Sequence, residues 1–176
     1  AGQAAHPVTR ALGDLSGTAV PLNDMLDATT RELDHIRFAD IDDLLTHALL
    51  RQGSVQKLMA LALSDNEPPG ERAESAAGAL GQAWWLTNVI AGTGTTDVSI
   101  VGERAELAGR ADSLYEQATD ILEACAQPLR RVFAVQAAVG QLMLERTTLQ
   151  HEQPANRSLP ALRVTWRAWR AARTAR

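Results

Sequence analysis

Three groups of ionisable residues have the types and spacing that could do chemistry. Glu32-Leu33-Asp34-His35 forms a Glu-x-x-His step. In some helical bundles such a step, joined by a second copy from another helix, holds iron or manganese. Asp43, His47 and Arg51 follow at four-residue spacing, where a carboxylate one turn before an imidazole can orient it for proton transfer. Asp112, Glu116, Asp120 and Glu123 make a carboxylate ladder that could attract divalent ions or a cationic ligand.

Helical rotation of about 100° per residue decides which of these groups point inward. With Leu22 at zero, the apolar stripe of Leu22, Met25, Leu26, Leu33 and Ile36 puts Glu32 at its edge, near ~280°, and turns His35 away, near ~220°. No second Glu-x-x-His exists, and the remaining histidines are His6, His47 and His151; no metal site and no cofactor are expected. Asp43, His47 and Arg51 fall on the side opposite Leu45, Ala48 and Gln52, which predicts a solvated surface trio. The four later acids cluster near ~135°, against ~320° for Leu107, Leu114, Ala118, Ile121 and Cys125, the layout of a water-facing helix. No nucleophile elbow, cysteine-centred signature, dinucleotide fingerprint or phosphate loop occurs. No catalytic residue is assigned on this basis, and no reaction can be named.

The elements that carry these groups read as helices throughout, because apolar residues recur at helical spacing and no alternating β-branched run occurs. Helices are expected over 7–20, Leu22–Arg37 and Phe38–Gln52, with Gly53 as a stop and Ser54 capping a short, deeply placed "VQKLMALAL". Prolines in "SDNEPPGE" break the chain before a helix with Ala73, Ala77 and Gly81 at four-residue spacing, which invites close packing. After the loop "GTGTTDVS", one helix should run to about Gln127, a second should restart at Pro128, and a last should follow "QHEQPANRS". The expected fold is all-α: a single-domain, irregular bundle of about six helices ending in a basic amphipathic helix.

The chain has 176 residues, 45% of them apolar, and only seven aromatics, which suits one helical core rather than an aromatic-rich sandwich. No apolar run approaches the length of a membrane span. Cys125 is the single cysteine, and with no leader-like N-terminus a reducing cytoplasmic setting is expected. The net charge of −4 conceals a division: residues 153–176 carry six arginines and no acid, +6, while residues 1–152 sum to −10. An acidic bundle over 1–152 and a basic Arg/Trp helix over 153–176, packed on the same domain, are the expected organisation.

Four of the aromatics are paired tryptophans, Trp84-Trp85 and Trp166-x-x-Trp169. Neighbouring helical residues point about 100° apart, so Trp84, in line with Ala73, Ala77 and Leu80, is expected in the core; Trp85 is expected in core or partly buried packing, with a groove, an interface or a pocket wall as the alternative. In the last helix Arg163, Arg167 and Arg170 form a cationic edge beside Trp166 and Trp169, and the Trp face is expected to pack on the bundle. Three functions fit these residues. The first is a non-enzymatic interaction module that meets a protein partner, or a second copy in a homodimer, through Trp85 or through Arg163, Trp166, Arg167, Trp169 and Arg170. The second is a nucleic-acid regulator that binds phosphates through the same arginines. The third is a small-molecule binder or enzyme with an interhelical pocket near Trp84 or Trp85. A membrane surface ranks below all three.

Overall fold

The computed structural model describes residues 17–34, 37–64, 69–92, 104–152 and 161–175. The expected helix at 7–20, the loops "GTGTTDVS" and "QHEQPANRS", and His6, His35 and His151 lie outside the residues or side chains described. Helix α1 spans Ala19–Leu33, α2 Ile41–Ala48, α3 Ser54–Leu63, α4 Glu71–Ile90, α5 Arg104–Leu122, α6 Gln127–Glu152 and α7 Ala161–Thr174. Between α2 and α3, Leu49–Gly53 forms a π-helical segment. The residues flanking it, Ala48 and Ser54, keep right-handed helical angles, so Ile41 to Leu63 is one continuous rod. Counting that rod once, the described residues form six helices and no strand, an all-α bundle.

Local chemistry explains where the rod starts and why it continues. Asp40 is extended and its Oδ1 accepts the Asp43 backbone N–H at 2.8 Å, an N-cap that starts α2 three residues later than the sequence suggests. The sequence points to Gly53 as a helix stop and to Ser54 as the next cap; neither residue acts so. Gly53 keeps helical angles and sits at a close approach of α4: a Cβ on Gly53 would lie 3.6 Å from Gly78 Cα, and a Cβ on Gly81 would overlap the backbone of Gln52 and Gly53. The small residues Ala73, Ala77 and Gly81 of α4 are all buried, and Gly81 brings α4 against the π segment.

The core runs through Leu44, Leu80, Leu86, Tyr115, Phe133 and Leu142, each fully buried. At the junction of α4, α5 and α6 the Thr87 hydroxyl donates to the Ala83 carbonyl at 2.8 Å, which leaves the Tyr115 hydroxyl to donate to Thr87 Oγ1 at 3.1 Å. Gly140 on α6 makes room for that phenol; a Cβ there would overlap the Tyr115 ring. Helix α7 runs antiparallel to α6, with Arg130 Nε donating to the Ala175 carbonyl at one end and Arg163 and Arg167 meeting Glu145 at the other. Among the described residues no helix is long and apolar enough to cross a membrane.

Candidate functional site

The departure that matters most for function is the facing of α1. Leu26 and Leu33, assigned to the core from their periodicity, are 65% and 73% exposed. Pro21 and Ala28 are buried instead, and Asp24, Arg31 and Glu32 share their half-covered side. The inner face is rotated by roughly 100° from the apolar stripe. A helix turns its polar side inward only when the neighbouring element offers partners, since an unpaired buried polar group costs about 1–3 kcal/mol.

The partners come from the rod. Asp43, His47 and Arg51 do share one face of it, but that face lies against α1 and not in water, because the rod is wedged between α1 and α4. Arg31 donates to Asp43 Oδ1 at 3.0 Å, and Asp43 Oδ2 accepts the Ala39 backbone N–H at 3.2 Å. The Arg31 hydrogen bond holds the Asp43 carboxyl below its usual range. Glu32 Oε1 lies 3.1 Å from His47 Nε2, and Glu32 Oε2 lies 3.6 Å from Arg51 Nε in the π segment. Further along the seam, Ser54 Oγ, fully buried, sits 3.5 Å from Asp24 Oδ2.

His47 is the centre of this arrangement and the clearest correction to the expected surface trio: it is 1% exposed. A carboxylate can only accept, so the imidazole proton resides on Nε2 and the lone pair on Nδ1. Nδ1 is buried and has no hydrogen-bond partner. Burial pushes the His47 pKa below its ordinary value of 6.5, with Glu32 opposing that shift, and the ring is held neutral near pH 7. Its faces are aromatic. Phe38 lies 5.1 Å away between ring centroids and Trp85 5.4 Å away, with Phe38 and Trp85 themselves edge to face at 6.3 Å. A neutral imidazole, oriented by a carboxylate and boxed by aromatic rings, can accept a proton or a hydrogen bond at Nδ1.

Trp85 is buried in this box, in line with the packing expected of it, while Trp84, expected in the core, is only half-buried. An open groove of about 370 Å³ lies on another face, with a floor of Leu49, Gly78 and Ala79 and with Lys57 and Glu71 at its rim; neither Trp84 nor Trp85 lines it. Arg163, Trp166, Arg167, Trp169 and Arg170 all sit on α7, away from His47, with Arg163 and Arg167 at 3.7 and 2.9 Å from Glu145. Asp112, Glu116, Asp120 and Glu123 face water as expected. Among the described residues no three His, Cys, Asp or Glu side chains converge to hold a metal ion.

No curated protein and no solved structure matches this chain significantly. A family model does match, over residues 1–97, the segment that contains α1, the rod, α4 and every residue of the His47 seam. Its description is squalene/phytoene synthase, a family of isoprenoid enzymes, and this overturns the expectation of a non-enzymatic interaction module and that of a nucleic-acid regulator. With more than half of its length matched, the chain belongs to the squalene/phytoene synthase family.

Proposed function

We propose that this chain is an enzyme of isoprenoid chemistry, prenyltransferase-like, whose reacting centre is the polar seam between α1 and the α2–π–α3 rod. The observation that carries this reading is the state of His47, whose Nε2 is committed to Glu32 and whose Nδ1 is buried without a partner. An orphaned buried acceptor costs about 1–3 kcal/mol, and such costs persist where a site uses the group. Joining isoprenoid units at an electron-poor carbon ends with loss of a proton, and Nδ1 is the base available to take one. The ring faces of Phe38 and Trp85 suit both an apolar prenyl chain and transient positive charge on carbon. A π segment at the centre of the seam fits the same reading, since π-bulges recur at functional sites. A cytoplasmic setting belongs to this reading and is supported by the lone, unpaired thiol of Cys125.

Titration calorimetry with an allylic prenyl diphosphate tests it. The wild-type chain should bind, and Trp85→Ala, which removes one wall of the box, should weaken binding at least tenfold. Equal affinity for the two proteins, both shown to be helical by circular dichroism, would move the substrate site elsewhere.

A further inference from the structure

Helix α7 packs in an unexpected sense. The half-covered residues Val164, Ala168, Ala171 and Ala172 lie on the side that meets α6. The large residues point the other way. Leu162 is 83% exposed, Trp166 59% and Trp169 47%. These three positions and Arg173 are spaced four, three and four residues apart, so they form one continuous stripe along the helix. Trp166 and Trp169 stack at 5.1 Å, and the Arg173 guanidinium lies 4.8 Å above the Trp169 ring. Arg163 and Arg167, which share the single carboxylate of Glu145, and Arg170 make the adjoining stripe, and no carboxylate occurs anywhere in residues 153–176. This overturns the expectation that the Trp face packs on the bundle: the small-residue face packs, and the Trp face is left in water.

We propose that α7 docks this protein on the surface of an anionic lipid bilayer. A helix with one Leu/Trp stripe, an arginine-rich flank and low overall hydropathy lies in the plane of the headgroups rather than across the bilayer. Tryptophan favours that depth because its ring is apolar and its N–H is polar. Arginine supplies the attraction to anionic headgroups, falling off within a Debye length. Nucleic acid would use the arginines but has no use for Leu162, the most exposed of the large apolar residues. The bilayer satisfies both stripes at once. Because α7 lies outside the matched residues 1–97 and away from His47, docking and the chemistry of the seam can fail independently.

Flotation of the full chain with vesicles of phosphatidylcholine, alone or with phosphatidylglycerol, decides the matter. The protein should float with the anionic vesicles and remain behind with the neutral ones. Trp166→Ala together with Trp169→Ala should weaken binding at least tenfold, because it removes most of the exposed apolar area while leaving the α6 contact intact. Arg170→Ala should weaken it about fivefold, and high salt should weaken wild type similarly. Leu162→Glu serves as a second apolar variant whose exposure makes misfolding implausible; it should also lose binding. Absence of flotation with anionic vesicles would overturn the proposal. So would full binding by the double Trp variant, or capture by duplex nucleic acid in preference to vesicles.

Discussion

His47 donates from Nε2 to Glu32 Oε1 at 3.1 Å, joining α1 to the next helical rod through two side chains that periodicity alone assigns to the rim and the surface. Removing the carboxylate leaves a fully buried imidazole with neither nitrogen satisfied. Glu32→Ala should therefore lower stability by about 1–3 kcal/mol, whereas Glu32→Gln, which keeps an acceptor in place, should retain most of it. Urea denaturation of the two variants measures the difference.

The same burial fixes a pH dependence. The His47 pKa is lowered in the folded state, so the unfolded chain binds the proton more readily. Stability from this group is complete above the unfolded value of 6.5 and is lost as pH falls below it. Asp43, also lowered, adds a second loss below its unfolded value of 3.8. Thermal unfolding followed from pH 8 downward should show the first decline beginning near pH 6.5 in wild type. In His47→Phe that decline should be absent.

The glycines separate close approach from simple helix weakness. Gly81→Ala drives a Cβ into the backbone of Gln52 and Gly53, and overpacking of this kind costs about 1–3 kcal/mol. It should also displace Arg51 and so disturb the seam. Gly109 sits inside α5, where an added Cβ would meet nothing within 4 Å, so Gly109→Ala should stabilise by about 0.5–1 kcal/mol. Melting temperatures of the two variants should move in opposite directions.

Tyr115→Phe should cost about 1 kcal/mol, the usual net worth of one buried hydrogen bond, here the one to Thr87 Oγ1. Burial raises the Tyr115 pKa from 10.0 to about 12. Its contribution is therefore complete below pH 10 and lost as pH rises above that value. Wild type should weaken over that range in a way that Tyr115→Phe does not, as alkaline denaturation followed by circular dichroism can show.

Much of the architecture is legible in the chain because it depends on spacing. The all-α class, the small-residue stripe Ala73, Ala77 and Gly81, and the outward acids of α5 all follow from periodicity, and the structure agrees with each. The seam does not follow, for one physical reason. Periodicity assigns the inner face to whichever side carries more apolar residues, and on α1 that rule points to Leu26 and Leu33. It fails where two polar faces are complementary, as Arg31 and Glu32 are to Asp43, His47 and Arg51. A signal was present: Asp43, His47 and Arg51 stand at one-turn spacing on the rod, and Arg31 and Glu32 supply a base and an acid on the helix before it, a pattern that matters only if the helices face each other. Gly53 misleads in the same way, since a glycine that ends a helix and one that admits a neighbour look alike until the neighbour is known. On α7 the rule errs in the same sense, because the stripe richest in large apolar residues is the one left in water.

The measurement that bears most directly on the central claim is the turnover of an allylic prenyl diphosphate by wild type, His47→Gln and Glu32→Gln, read as release of inorganic diphosphate together with formation of an apolar product. Wild type should turn over, with an acid limb below pH 6.5. His47→Gln should lose roughly 10²- to 10⁴-fold in kcat, and Glu32→Gln should fall between the two. A His47→Gln protein that folds and turns over at the wild-type rate would contradict the assignment of this seam as the reacting centre.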